Sequence, residues 1–187
     1  MYLTLSLPPL CSAHKNTFAD GVELREYAPI VWASTNVSDV KYGSAVTIGF
    51  ERLFSYISGA NEEGQHIEMT APVRTRLLAG AGPFCKDTFT VSFMVPFELQ
   101  KSPPKPSSKD VFIQREAGQS VYVSSYGGYS PDRVLIAQTQ ALIKTLDAEK
   151  VEYDASVFYA AGYDAPFRIL NRHNEIWIPA GSVSKPL

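Results

Sequence analysis

Cysteine, histidine and charge of one sign are all scarce in this chain, and each scarcity excludes something. The only cysteines are Cys11 and Cys85, with no Cys-x-x-Cys, so there is neither a disulfide framework nor a metal-type pairing of thiols. The pair bridges only if the chain is secreted, tying the N-terminal segment to the loop after Gly80-Ala81-Gly82-Pro83; in a reducing compartment both are free thiols. His14, His66 and His173 stand far apart, and no His-Glu-x-x-His, Gly-x-Ser-x-Gly or phosphate loop occurs, so metal hydrolysis, acyl transfer on a serine elbow and phosphoryl transfer all lack their signatures. A formal net charge of -2 without a long run of either sign gives no nucleic-acid footprint and no polybasic membrane patch. No apolar run approaches the roughly 18 residues needed to cross a bilayer. The segment Met1 to Ala13 is mildly apolar and ends in small residues, but it lacks a basic start and is broken by Pro8-Pro9. A cytoplasmic location is therefore expected, with secretion the alternative if this segment is a signal-peptide remnant.

What is present is enough apolar surface for a core: 45% of 187 residues are hydrophobic and 12% aromatic, consistent with one domain. The organising stretch is Ile67 to Leu78, strand-like but carrying Pro72, which implies an edge, a bulge or a bend. Ala71-Pro72-Val73-Arg74 returns as Ala165-Pro166-Phe167-Arg168, and two copies of one supersecondary unit explain the repetition. In the first unit, Gly21 to Tyr27 and Ile30 to Thr35 read as strands joined at Ala28-Pro29. From Gly43 to Ser58 the spacing of Val46, Phe50, Leu53, Phe54 and Ile57 predicts an amphipathic helix, with Ser44 as a cap and Gly59 at its end. Strands over Ile67 to Leu78 and Phe89 to Val95 complete the unit. Ser102 to Ser108 is a proline-rich spacer. The second unit repeats the order: Val111 to Glu116, Ser120 to Tyr126, a helix from Ser130-Pro131-Asp132 to about Leu146, then strand-like Val157 to Gly162, Phe167 to Leu170 and Glu175 to Ile178. The division is an N-terminal tail 1–20, one domain 21–180 built of repeats 21–97 and 110–180, and a C-terminal tail 181–187. The class is α+β, mostly antiparallel, a barrel or a pair of facing sheets with both helices packed outside.

For chemistry, Glu68 reads as an outer-face strand residue, and Glu62-Glu63 as a solvated turn. Arg168 and Arg172 flank His173 closely enough for all three to meet one anionic ligand. Phe50 and Phe54, with Phe158, Tyr159, Tyr163 and Phe167, suit an apolar groove for a flat ligand or a packed core.

The ordered series Arg25-Glu26-Tyr27, Trp32-Ala33-Ser34-Thr35, Ile67-Glu68-Met69-Thr70-Ala71-Pro72-Val73, Ser102-Pro103-Pro104, Asp110-Val111-Phe112-Ile113, Ala161-Gly162-Tyr163 and Leu170 to Trp177 resembles the SOUL family of haem-binding proteins. The resemblance implies a distorted eight-stranded barrel of two repeats with two helices, and non-enzymatic, non-covalent binding of haem or a related tetrapyrrole as a carrier, buffer or sensor. Carried over by position, the haem groove comprises Phe50, Arg52, Leu53 and Phe54 of the first helix with Phe167, Arg168 and Arg172. Positions that are basic in some relatives are Thr47 and Ser55 here, leaving Arg52 as that helix's cation. Relatives carry a histidine, proposed as an iron ligand, where this chain has Glu26, so His173, the candidate axial ligand, His66 or no protein ligand serves here. The resemblance also implies a rival role, a protein-interaction factor promoting mitochondrial permeability or cell death, with Leu142, Leu146 and Glu149 as anchors for a groove in an apoptosis regulator. Asp147 and a missing glycine before Lys150 depart from that pattern. A hydrolase centred on Glu68 is a distant third, by fold analogy alone.

Overall fold

Helical spacing twice interrupts strand alternation, and a helix forms at each interruption: α1, Tyr42–Ile57, and α2, Asp132–Glu149. The structure is a computed structural model that describes residues 11–38, 41–78, 88–165 and 168–181, with side chains from residue 16 onward. The strands are β1 (Cys11–Thr17), β2 (Glu23–Tyr27), β3 (Ile30–Val37), β4 (Val73–Leu78), β5 (Phe89–Met94), β6 (Val111–Glu116), β7 (Gln119–Gly127), β8 (Val157–Gly162) and β9 (His173–Pro179). They form one antiparallel sheet in the order β1-β2-β7-β9-β8-β4-β5-β3-β6.

The α+β class and the two helices agree with the sequence reading, whereas the barrel does not: the nine-stranded sheet is not closed. The ninth strand is β1, which pairs with β2 inside the segment read as a tail. Its sequence, Cys-Ser-Ala-His-Lys-Asn-Thr, shows no apolar alternation, and an edge strand held through its backbone needs none. The Ile67 to Leu78 strand is shorter than expected, beginning only at Val73, after a cis Ala71–Pro72 bond. Residues 168–170 form no strand and belong to the link between β8 and β9. Neither helix uses its expected cap: α1 starts after Lys41, and Ser130 bonds the Tyr126 hydroxyl at 2.6 Å while Pro131 takes the cap position of α2.

Each unit donates its first strand to the other: β2 pairs with β7, and β6 with β3. The register is continuous through both corners, Tyr27 opposite Gln119 and Ile30 opposite Glu116, so two bent ribbons cross where Pro29 meets Gly118. A Cβ on Gly118 would stand 2.9 Å from the Tyr27 carbonyl oxygen, so the crossing needs glycine. The proline-rich spacer is pinned to the end of α1 by Tyr56, whose hydroxyl donates to the Pro104 carbonyl at 2.7 Å, and by an Asn61–Pro106 bridge.

Both faces of the sheet are buried. On one, α1 packs Leu53, Tyr56 and Ile57 on Val31, Ala33, Val91 and Phe93, while α2 packs Leu135, Leu142 and Leu146 on Tyr122, Ile176 and Ile178. On the other, Tyr27, Trp32, Tyr159 and Trp177 are covered by the curl of the sheet itself. Arg74 on β4 reaches Glu116 on β6, three strands away, at 2.6 Å, which a flat sheet with strands about 4.8 Å apart would forbid.

α1 sits so close to β5 that a Cβ on Gly49 would lie 2.5 Å from Val91 Cγ2. Gly49→Ala should therefore cost about 1–3 kcal/mol despite its better helix propensity, whereas Gly43→Ala, with only Asp132 Oδ1 at 4.0 Å, should be neutral or stabilising. Thermal melts of the two variants, side by side, check the difference.

A candidate ligand groove and the buried charges behind it

Strand alternation sorts the side chains of β4 and β9 into two sets. On β4, Val73 and Thr75 face the helices and Arg74 faces the other side; on β9, Asn174 and Ile176 face the helices while Glu175 and Trp177 turn away. Between the N-terminal half of α1 and the ends of β4, β8 and β9 lies a groove of about 470 Å³. Tyr42, Val46 and Phe50 form one wall, Val73, Thr75 and Gly162 the floor, and Tyr129, Ser130, Pro131, Asp164, Arg172 and Asn174 the other side. The volume suits a small organic ligand.

Phe50 stacks on Phe54 with ring centroids 5.8 Å apart and meets Phe93 edge-on at 5.3 Å. Burial pushes the Tyr42 phenol above its ordinary range, reinforced by Tyr126 and Asp132 and opposed by a hydrogen bond with Thr75. Arg172 is held by the backbone, its Nη1 donating to the carbonyls of Ala165 and Arg168 at 2.8 Å each, and its guanidinium lies 4.8 Å from the Tyr129 ring centroid. Asp164 is 5% exposed, bonds Arg168 at 2.8 Å and accepts the His173 backbone N–H. The structure thus brings Phe50 and Arg172 together in the groove.

The other expected residues fall elsewhere. Leu53 is fully buried beneath α1. Phe54 is half exposed beyond Phe50. Arg52 points around the helix to the Asn36 carbonyl at 3.0 Å. Arg168, half exposed, pairs with Asp164 and donates Nε to the Leu170 carbonyl at 3.1 Å. Phe167 lies outside the described residues, as do Cys85 and the side chains of Cys11 and His14. His66 and Glu68 are exposed in the irregular segment before β4. His173 is not among the groove's lining residues: its Nε2 lies 2.9 Å from Glu175 Oε1, on the opposite side of β9 from Asn174. Tyr42 and Tyr129 had no motif to mark them, and Asn174 lay in the Leu170 to Trp177 motif without an assigned role. The one local signal was Gly127-Gly128, where Gly128 turns with φ +81 and Asn174 Nδ2 holds its carbonyl at 2.8 Å, placing Tyr129 at the groove.

Behind β9, Glu175 is 2% exposed and accepts from Tyr163 Oη at 2.6 Å, Trp177 Nε1 at 2.7 Å and Arg25 Nη1 at 2.9 Å, with His173 beside it. Burial alone would push its carboxyl up; the Tyr163 hydrogen bond, the Arg25 charge and the bonds from His173 and Trp177 outweigh that and hold it below the usual carboxylate range. Burial and the adjacent carboxylate drive the Tyr163 phenol far up. A second buried pair joins Arg74 to both oxygens of Glu116 at 2.8 and 2.6 Å, with the guanidinium 4.0 Å from the Trp32 ring centroid and 4.5 Å from that of Tyr159.

The SOUL heme-binding protein model matches residues 10–179, so an antiparallel α+β chain with this groove belongs to the SOUL heme-binding protein family. Human Heme-binding protein 2 is 41% identical over 156 residues, which span 83% of this chain and 76% of that protein. Mouse Heme-binding protein 1 is 31% identical over 79% of this chain and 77% of its own length. Among solved structures, the C-terminal domain of EcmrR matches with a TM-score of 0.65 at 12% identity, covering 87% of this chain and 98% of that domain; this is a likeness of fold.

Glu175→Gln removes the more buried of Arg25's two carboxylate partners, leaving Glu23 at 2.6 Å, and should destabilise the fold by about 1–3 kcal/mol. Because Glu175's folded-state pKa is depressed, its contribution is complete above the unfolded value of about 4.3 and fades as pH falls through the lower folded value. Chemical denaturation from pH 7 downward should show the wild-type advantage shrinking in acid, with the two proteins converging.

Proposed function

We propose that this chain binds haem or a related tetrapyrrole non-covalently in the groove between α1 and the β8–β9 side of the sheet, as a carrier, buffer or sensor and not as an enzyme. The observation that carries the reading is the groove itself: an apolar wall of Val46 and Phe50 faces a rim bearing the Arg172 cation. A flat macrocycle needs the first for stacking and its carboxylates need the second. Relatives named heme-binding proteins, similar over about four-fifths of the chain, support the same ligand class. The working unit is the single domain 21–180, with β1 added at its edge. Among the described residues no helix is long and apolar enough to cross a membrane.

The interaction reading has less support. Leu142 and Leu146 are 1% and 0% exposed, packed under α2 on the sheet, so their use as anchors would require the helix to leave its core. Glu149 already accepts the Ala19 backbone N–H at 3.4 Å.

Titration of the purified chain with ferric haem and with metal-free protoporphyrin, followed by absorbance and tryptophan quenching, should saturate at one per chain for both. Phe50→Glu should weaken each by at least about tenfold through the loss of stacking and the burial of a charge, and His173→Ala should leave both unchanged. Non-saturable uptake of both porphyrins would sink the reading.

A further inference from the structure

The groove offers an iron no histidine, cysteine or methionine among its lining residues. It does offer two phenols. Tyr42 is engaged: its ring packs edge-on to Phe89 at 6.2 Å, and burial pushes its phenol above its ordinary range. Tyr129 is different. It is 54% exposed at the groove, on a turn set by Gly128 and clamped through Asn174. The Arg172 guanidinium stands over its ring, and Arg172 Nε is buried without a hydrogen-bond partner among the described residues. Tyr129 is therefore the exposed phenol among the described lining residues, and a tyrosine oxygen is an established ligand type for ferric haem.

We propose that Tyr129 is the axial ligand through which this chain holds ferric haem, with Arg172, stacked over its ring, holding that ring in place. The proposal rests on the tetrapyrrole reading above. Forming the iron–oxygen bond displaces the water carried by ferric haem and releases the phenol proton to solvent, so uptake of aqua-ferric haem liberates one proton that uptake of metal-free porphyrin does not. An anionic oxygen prefers the ferric over the ferrous ion, so reduction loosens the haem. Arg172 acts here as a positioning residue.

The test compares the full chain with Tyr129→Phe and Tyr42→Phe, each loaded with ferric haem and, separately, with metal-free protoporphyrin. In the wild type, resonance Raman spectra should show iron-bound tyrosinate vibrations, and absorbance a phenolate-to-iron charge-transfer band. Both features should survive in Tyr42→Phe and vanish in Tyr129→Phe, with ferric haem affinity there falling by about tenfold or more, a larger fall than that for protoporphyrin. Because Tyr129 is half exposed, near-ultraviolet circular dichroism of the apo variants should match the wild type. A tyrosinate signature that persists in Tyr129→Phe, or is absent from the wild type while both porphyrins still saturate the groove, overturns the assignment and leaves the tetrapyrrole reading standing. Failure of either porphyrin to saturate the wild type overturns that reading and the assignment with it.

Discussion

Two buried ion pairs decide which way the strands of this sheet face. Arg74 on β4 meets Glu116, and Glu175 on β9 meets Arg25, all on the side of the sheet away from the helices. Slipping either strand by one residue would turn its charge toward α1 or α2, away from its partner, and leaving a buried charge uncompensated costs several kcal/mol. With Arg74 and Glu175 fixed inward, Val73, Thr75 and Asn174 have to face the helices, and they are the side chains that floor and flank the groove. The polar interior is therefore remote from the groove yet sets its composition.

The strand exchange adds a second constraint. Since β2 completes the second unit and β6 the first, neither repeat possesses all its neighbours alone, and the groove, with α1 from one unit and β8, β9 and the turn before α2 from the other, exists only in the assembled pair. Arg25 of the first unit and Glu175 of the second tie that exchange together. The groove's own electrostatics are sparse by comparison. Arg172 is its cation, Asp164 is already engaged by Arg168, and the remainder is apolar or neutral, so selectivity rests on shape and on what the rim can ligate.

The order of elements was legible because it depends on local periodicity: α1, α2 and the proline corner at Ala28-Pro29 all follow from spacing and turn residues. Closure of the sheet is a long-range property with no local signature, and the expected barrel did not survive. Charges misled for a related reason. Alternation treats Arg25, Arg74, Glu116 and Glu175 as solvent-facing residues, and only the curl of the sheet makes that face an interior. In the groove, the stripe on α1 was visible but its edges were not. Arg52 sits about 200° around the helix from Phe50, and Leu53 lies under it. Likewise, Arg172 and His173 are sequence neighbours, but only Arg172 reaches the groove. Tyr129 was beyond reach because its position depends on contact between Gly128 and Asn174, distant in sequence.

In the proposed binding mode, the helix-facing side of β4, β8 and β9, roofed by α1, is the ligand surface. Amide chemical-shift mapping of the isotope-labelled chain with metal-free protoporphyrin tests it most directly. The predicted result is a contiguous set of perturbed amides around Tyr42, Val46, Phe50, Val73, Gly162 and Asn174, with those around Trp32 and on the exposed face of α2 unmoved. Perturbations centred on α2, or on the Met69 to Pro96 side of the molecule, with the groove silent, would contradict it.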